Sequence, residues 1–131
     1  MRTLTALALV LSALAAPVAA KVPLRDVAAI DDALMAIAIA DEIRKRCDGI
    51  DARMIRAYAT LSSLKNQARA LGYSDDEIED YVTSKDEKAR MRAKAEAWLG
   101  ARGVDHKDTA ALCRFGETEI AAQSAIGRLL K

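Results

Sequence analysis

The chain has 131 residues, in which 20 Lys and Arg face 19 Asp and Glu for a formal net charge of +1 at pH 7. That balance argues against nucleic acid and acidic membrane surfaces as partners, because both select a marked basic excess. Aromatic residues make up 4%, so a core must come from Leu, Ile, Met and Ala, which suits closely approaching helices better than a sheet.

The first twenty residues read as an export signal. Arg2 is a short positive start, Leu4 to Ala16 is apolar or small apart from Thr5 and Ser12, and Pro17 breaks the run. Val18-Ala19-Ala20 supplies the small residues of a cleavage site, placing the cut between Ala20 and Lys21. The apolar run is shorter than the roughly 20 residues of a membrane-spanning helix. No cysteine follows the cut, against a lipid anchor. The expectation is a periplasmic protein whose residues 21–131 form one helical domain with Lys plus Arg equal to Asp plus Glu.

Val22-Pro23-Leu24 should enter extended, since proline disfavours helix in the residue before it. Asp26 is expected to cap a first helix running to about Cys47. Val27, Ile30, Leu34, Ile37 and Ala38 lie on one face, Met35, Ile39 and Ile43 on the opposite one. Its middle is apolar nearly all round and should be buried by neighbours on several sides. Arg44-Lys45-Arg46 suits the negative end of the helix dipole.

After the Asp48-Gly49 turn, Asp51 should cap a second helix to about Leu71, with a stripe of Met54, Ala57, Tyr58, Leu61, Leu64, Ala68 and Leu71. Ser74-Asp75-Asp76-Glu77 is a capping box opening a short third helix with Ile78, Tyr81 and Val82 inward. Ser84-Lys85-Asp86-Glu87 is a second box opening a fourth helix to about Ala101, with a narrow stripe of Met91, Ala95, Trp98 and Leu99. Asp105 is expected to cap the last helix, on which Leu112, Phe115, Ile120, Ala122, Ile126 and Leu130 should face inward. Gly116 and Gly127 share its inward side. Glycine within a helix costs about 1 kcal/mol against alanine, so the pair points to another backbone pressed against it, with the alanine-rich first helix as the natural partner.

Two cysteines in an exported chain read as one disulfide, Cys47 to Cys113. Closing a loop of about 65 residues contributes about 4 kcal/mol in the chain-entropy account. The expected fold is all-α, a small bundle of four to five helices with that disulfide joining the first and last.

Chemistry has little support. Asp75, Asp76, Glu77, Glu79, Asp80, Asp86 and Glu87 crowd together, but no EF-hand glycine or glutamate spacing is present, and acidic residues at helix starts account for them. His106 stands alone, without His-x-x-x-His or Cys-x-x-Cys spacing for zinc. Nucleophile elbows and phosphate loops are missing. We therefore expect no enzyme, no cofactor and no metal. Lys85, Lys88, Arg90, Arg92, Lys94 and Arg102 form a basic face that is either solvated or docks an acidic partner, with Arg90 and Lys94 the candidates. Glu119 and Gln123 interrupt the last helix beside Gly116, as boundary positions or as a polar seam for a partner.

Cys47, Gly72-Tyr73-Ser74-Asp75-Asp76-Glu77-Ile78, Cys113-Arg-Phe-Gly-Glu-Thr-Glu-Ile120 and Ile126-Gly127 together resemble the family of small exported alphaproteobacterial proteins known as domain of unknown function 5333. The resemblance spans the whole domain, and its motifs are structural rather than chemical. It implies no assigned activity. The family's genes lie among those of the proton-pumping NADH:quinone oxidoreductase, which implies an accessory role near that complex on the periplasmic side. The leading expectation is a non-enzymatic domain that binds another protein, such as a respiratory-complex subunit. One alternative is a periplasmic acid-stress chaperone, and a further one is a carrier of a small apolar ligand.

Overall fold

The computed structural model describes residues 19–131. The run Leu4 to Ala16, read as an export signal, lies outside the described residues; Ala19 and Ala20, at the expected cut, are exposed. Five helices follow in order: α1 (Ala28–Arg46), α2 (Met54–Ala70), α3 (Asp75–Thr83), α4 (Lys85–Gly100) and α5 (Thr109–Ala122). Short 3₁₀ turns at Leu24–Asp26 and Gly127–Leu129 flank them. The fold is all-α; among the described residues the extended pairing is one antiparallel bridge between Ala52 and Leu130.

Helix α1 is the axis. Met35, Ile39 and Ile43, spaced one turn apart, are buried with Ala95 and Leu99 of α4, Leu112 of α5, and Ile126 and Leu130 of the C-terminal stretch. A second, smaller core gathers Leu24, Ile30, Leu64, Ala68 and Ile78. The fully covered side of α1 is thus the one carrying Ile39 and Ile43, while Leu34, Ile37 and Ala38 remain half-buried. Cys47, at the C-cap of α1, is bonded to Cys113 in α5 with the Cα atoms 5.5 Å apart. Gly116, one turn beyond, lets α5 close on α1: a Cβ there would lie 2.8 Å from Ile43 Cγ2.

Several element boundaries differ from the sequence reading. Asp26 sits in a 3₁₀ turn, and Val27 holds the N-cap of α1. Asp51 caps nothing. Its backbone exchanges two hydrogen bonds with Lys131 (2.8 and 2.9 Å), and α2 begins three residues later. Ser74 and Glu77 form the complete capping box, whereas at α4 only Ser84 accepts from the Glu87 amide, because the Glu87 carboxylate turns to Arg25 and Arg90. Asp108, not Asp105, caps α5.

The largest correction concerns the end of the chain. Helix α5 stops at Ala122, where Gln123 takes a left-handed conformation (φ 51°). Gln123 and Ser124 return hydrogen bonds to the last carbonyls of α5, a left-handed C-terminal cap. Gly127 therefore lies outside the helix and packs onto the backbone of Glu119 and Ile120, not onto α1. The stretch then runs back beside Asp51, Ala52 and Arg53 and buries Ile126, Leu129 and Leu130.

Candidate functional site

Helix α2 carries a full apolar stripe, yet only half of it is covered. Leu64 and Ala68 are buried in the smaller core, whereas Met54, Tyr58 and Leu61 are 51%, 66% and 41% exposed. Both ends of the helix are held. At its start the Arg53 amide donates to the Leu129 carbonyl (2.7 Å) and Arg53 Nε to the Leu130 carbonyl (2.9 Å). Past its far end, Tyr73 Oη donates to the Val22 carbonyl (2.7 Å). Between these anchors the small side chains of Ala38 and Ala57 fail to fill the gap, leaving an open groove of about 530 Å³. Leu34 and Ile37 of α1 form its floor, Tyr58 and Leu61 one wall, and Val82 and Met91 the other. Val82, expected to point inward, is 43% exposed at this rim. Burial of such side chains is worth about 1.5–3 kcal/mol each, so the uncovered stripe has a substantial free energy to gain from an occupant.

The charged groups lining the groove are largely matched. Asp41 pairs with Arg44 (2.6 Å) and Lys45. Burial pushes its carboxyl up, but the hydrogen bonds and charges of Lys45 and Arg44 outweigh this, so it titrates below the usual range. Glu87 pairs with Arg90 (2.9 Å) and with Arg25.

Beneath one end of the groove, an ionic cluster ties α1 to α4. Asp31, 5% exposed, accepts from Arg90 (2.6 Å) and Lys94 (2.7 Å), and Lys94 also reaches Asp32 (2.6 Å). Arg90 donates to Tyr81 Oη at 3.2 Å. Burial raises the Asp31 carboxyl, and the hydrogen bonds and charges of Arg90 and Lys94 more than reverse this, leaving it below its ordinary value. Arg90 and Lys94 are raised in return, chiefly by their hydrogen bonds to Asp31. The sequence offered a signal for this cluster in Asp31-Asp32, two acids inside an otherwise apolar run, but which bases would answer them depends on how α4 docks.

Arg90 and Lys94, candidates for a partner surface, are thus engaged within the chain. Glu119 lends its carbonyl to the cap of α5, and the Gln123 side chain donates to the Ile120 carbonyl (2.8 Å), so both residues help form the helix stop. Neither of them lines the groove, and neither do Gly116 and Gly127. Asp75 of the acidic cluster binds Arg69 (2.7 Å), and Glu77 binds Lys21 (2.7 Å). His106 faces Glu96 at 3.6 Å, and its carbonyl accepts from Arg46, which also donates to Thr109 Oγ1 (2.7 Å) and so secures the loop before α5.

No helix of the described residues is long and apolar enough to cross a membrane. The model of a family of unknown function, DUF5333, matches residues 22–131. No curated protein matches the chain, and no solved structure does.

Proposed function

We propose, from the premise that the chain belongs to the DUF5333 family, that it is a non-enzymatic periplasmic accessory factor that binds another protein through the groove over α1, between α2 and the α3–α4 side. The observation that carries this reading is the uncovered half of the α2 stripe. An amphipathic helix normally turns its apolar side to the core, and here Met54, Tyr58 and Leu61 face an open trough instead. Tyr, Met and Arg, the residue types enriched where proteins meet, concentrate along it. The lining acids and bases are largely paired, which suits binding better than proton transfer. A respiratory-complex subunit, suggested by the family resemblance, is the first partner to test.

A photo-crosslinking amino acid at position 58, introduced in living cells, should give protein adducts that one at the exposed α3 position 79 does not. Equal or absent adducts at both positions would refute groove-mediated protein binding. The groove's volume favours one competing reading, a carrier of a small apolar ligand, since about 530 Å³ falls within the range of small-molecule sites. Native mass spectrometry of freshly isolated protein decides it: a co-purifying mass lost on unfolding supports the carrier.

A further inference from the structure

We infer that Met54 is a sulfoxidation site, and that oxidation of its thioether by a peroxide loosens the groove's hold on an apolar occupant. The inference rests on the protein-binding reading and adds its regulation.

Reactivity is the first argument. Both cysteines are taken up in the Cys47–Cys113 bridge, and no free thiol remains. The softest nucleophiles left are thioether sulfurs, which oxidants convert to sulfoxides. Met35, 6% exposed, is sealed in the main core, and Met91 is half-buried against it. Met54, the first residue of α2, is 51% exposed. Hydrogen peroxide therefore reaches Met54 ahead of the other two. The sulfur gives an electron pair to one peroxide oxygen. The O–O bond breaks, an S–O bond forms, and the second oxygen leaves as water, so sulfur is oxidised and peroxide reduced.

Position is the second. Met54 lines the groove beside Ala52, Leu129 and Leu130. None of those three side chains carries a donor for a sulfoxide oxygen. An occupant laid over the modified residue would strip water from a strong acceptor and leave it without a side-chain partner. The apolar contact of the thioether would be lost as well. Met54 belongs to neither core cluster, so the change falls on the binding surface and spares the fold.

The test treats the disulfide-bonded protein with dilute hydrogen peroxide and follows each methionine by peptide mass mapping. Met54 should gain oxygen before Met91 and about tenfold faster than Met35, whose sulfur waits on local opening. Binding of an apolar dye should then weaken about fourfold to tenfold, the loss expected when half a methionine side chain gives up its burial. The circular dichroism spectrum and the urea midpoint should stay where they were. In Met54→Leu, measured against its own untreated sample, peroxide should leave dye binding unchanged. Earlier oxidation of Met91 or Met35 overturns the inference. So do undiminished dye binding at full Met54 oxidation, an equal peroxide effect in the variant, and a fall in the urea midpoint.

Cells carrying the photo-crosslinker at position 58 separate this inference from the reading beneath it. Adducts that decline on peroxide exposure, and persist when Met54→Leu is added, support it. Adducts that persist although Met54 is oxidised overturn the regulation and leave protein binding in place. Absence of adducts before any peroxide is added overturns both.

Discussion

Replacing Gly127 with alanine should cost the fold about 2–5 kcal/mol. An added Cβ would fall inside the Glu119 carbonyl group and 2.7 Å from the Ile120 amide nitrogen, all of it backbone in the last turn of α5. No rotamer change relieves such a clash, so the C-terminal stretch has to withdraw. Ile126, Leu129 and Leu130, now 3%, 6% and 0% exposed, would be partly uncovered. Losing about half the burial of three such side chains, at about 1.5–3 kcal/mol apiece, gives the range stated. Against a total stability of about 5–15 kcal/mol this is severe. The measurement is urea unfolding followed by circular dichroism, with a lower midpoint at constant slope. Gly116→Ala is the internal contrast. Its Cβ would meet Ile43 Cγ2 at 2.8 Å and Ile50 Cδ1 at 3.2 Å. Ile43 is fully buried and β-branched, so overpacking costs about 1–3 kcal/mol, while alanine regains about 1 kcal/mol of helix propensity. The net cost should be about 0–2 kcal/mol. If Gly127→Ala shifts stability by less than about 0.5 kcal/mol, or less than Gly116→Ala does, the proposed seating of the C-terminal stretch on α5 is wrong.

Asp31→Asn should lower stability by about 2–4 kcal/mol in the same assay, since it leaves Arg90 and Lys94 without their shared, buried carboxylate; a loss under about 0.5 kcal/mol would show the cluster to be incidental. Acid should destabilise the protein in a defined window. Hydrogen bonds from Arg69 hold Asp75 at about 2 against 3.8, those from Lys21 and the Ser74 amide hold Glu77 at about 2 against 4.5, and Asp31 is also lowered. These depressed groups contribute fully above the unfolded values, so stability should be flat down to about pH 5 and decline as pH falls toward about 2. Dye binding to apolar surface, rising over that same interval, would be the outcome that favours the chaperone alternative. Reduction, or Cys47→Ala with Cys113→Ala, should cost about 4 kcal/mol for a sequence separation of 66 residues; unchanged thermal unfolding after reduction contradicts that.

Periodicity, caps and cysteine arithmetic were enough to reach an all-α bundle, its five helices and the bridge from Cys47 to Cys113. These signals are local, or covalent and paired by elimination, so they need no knowledge of how helices dock. The Ser74–Glu77 box shows this best, because all its partners lie within four consecutive residues. Three matters belong to tertiary structure alone. The end of α5 at Ala122 is one: the apolar spacing runs on through Ile126 and Leu130, and only their burial beside α1 and the pairing of Lys131 with Asp51 make a reversal at Gln123 favourable. The ion partners of Asp31 and Glu87 are another, since they depend on the register of α4 along α1. The groove is the third. A stripe of Met54, Tyr58, Leu61, Leu64 and Ala68 says that this side of α2 avoids water, but whether a neighbour covers each position depends on where the two ends of the helix are anchored, and that is information no single segment of chain contains.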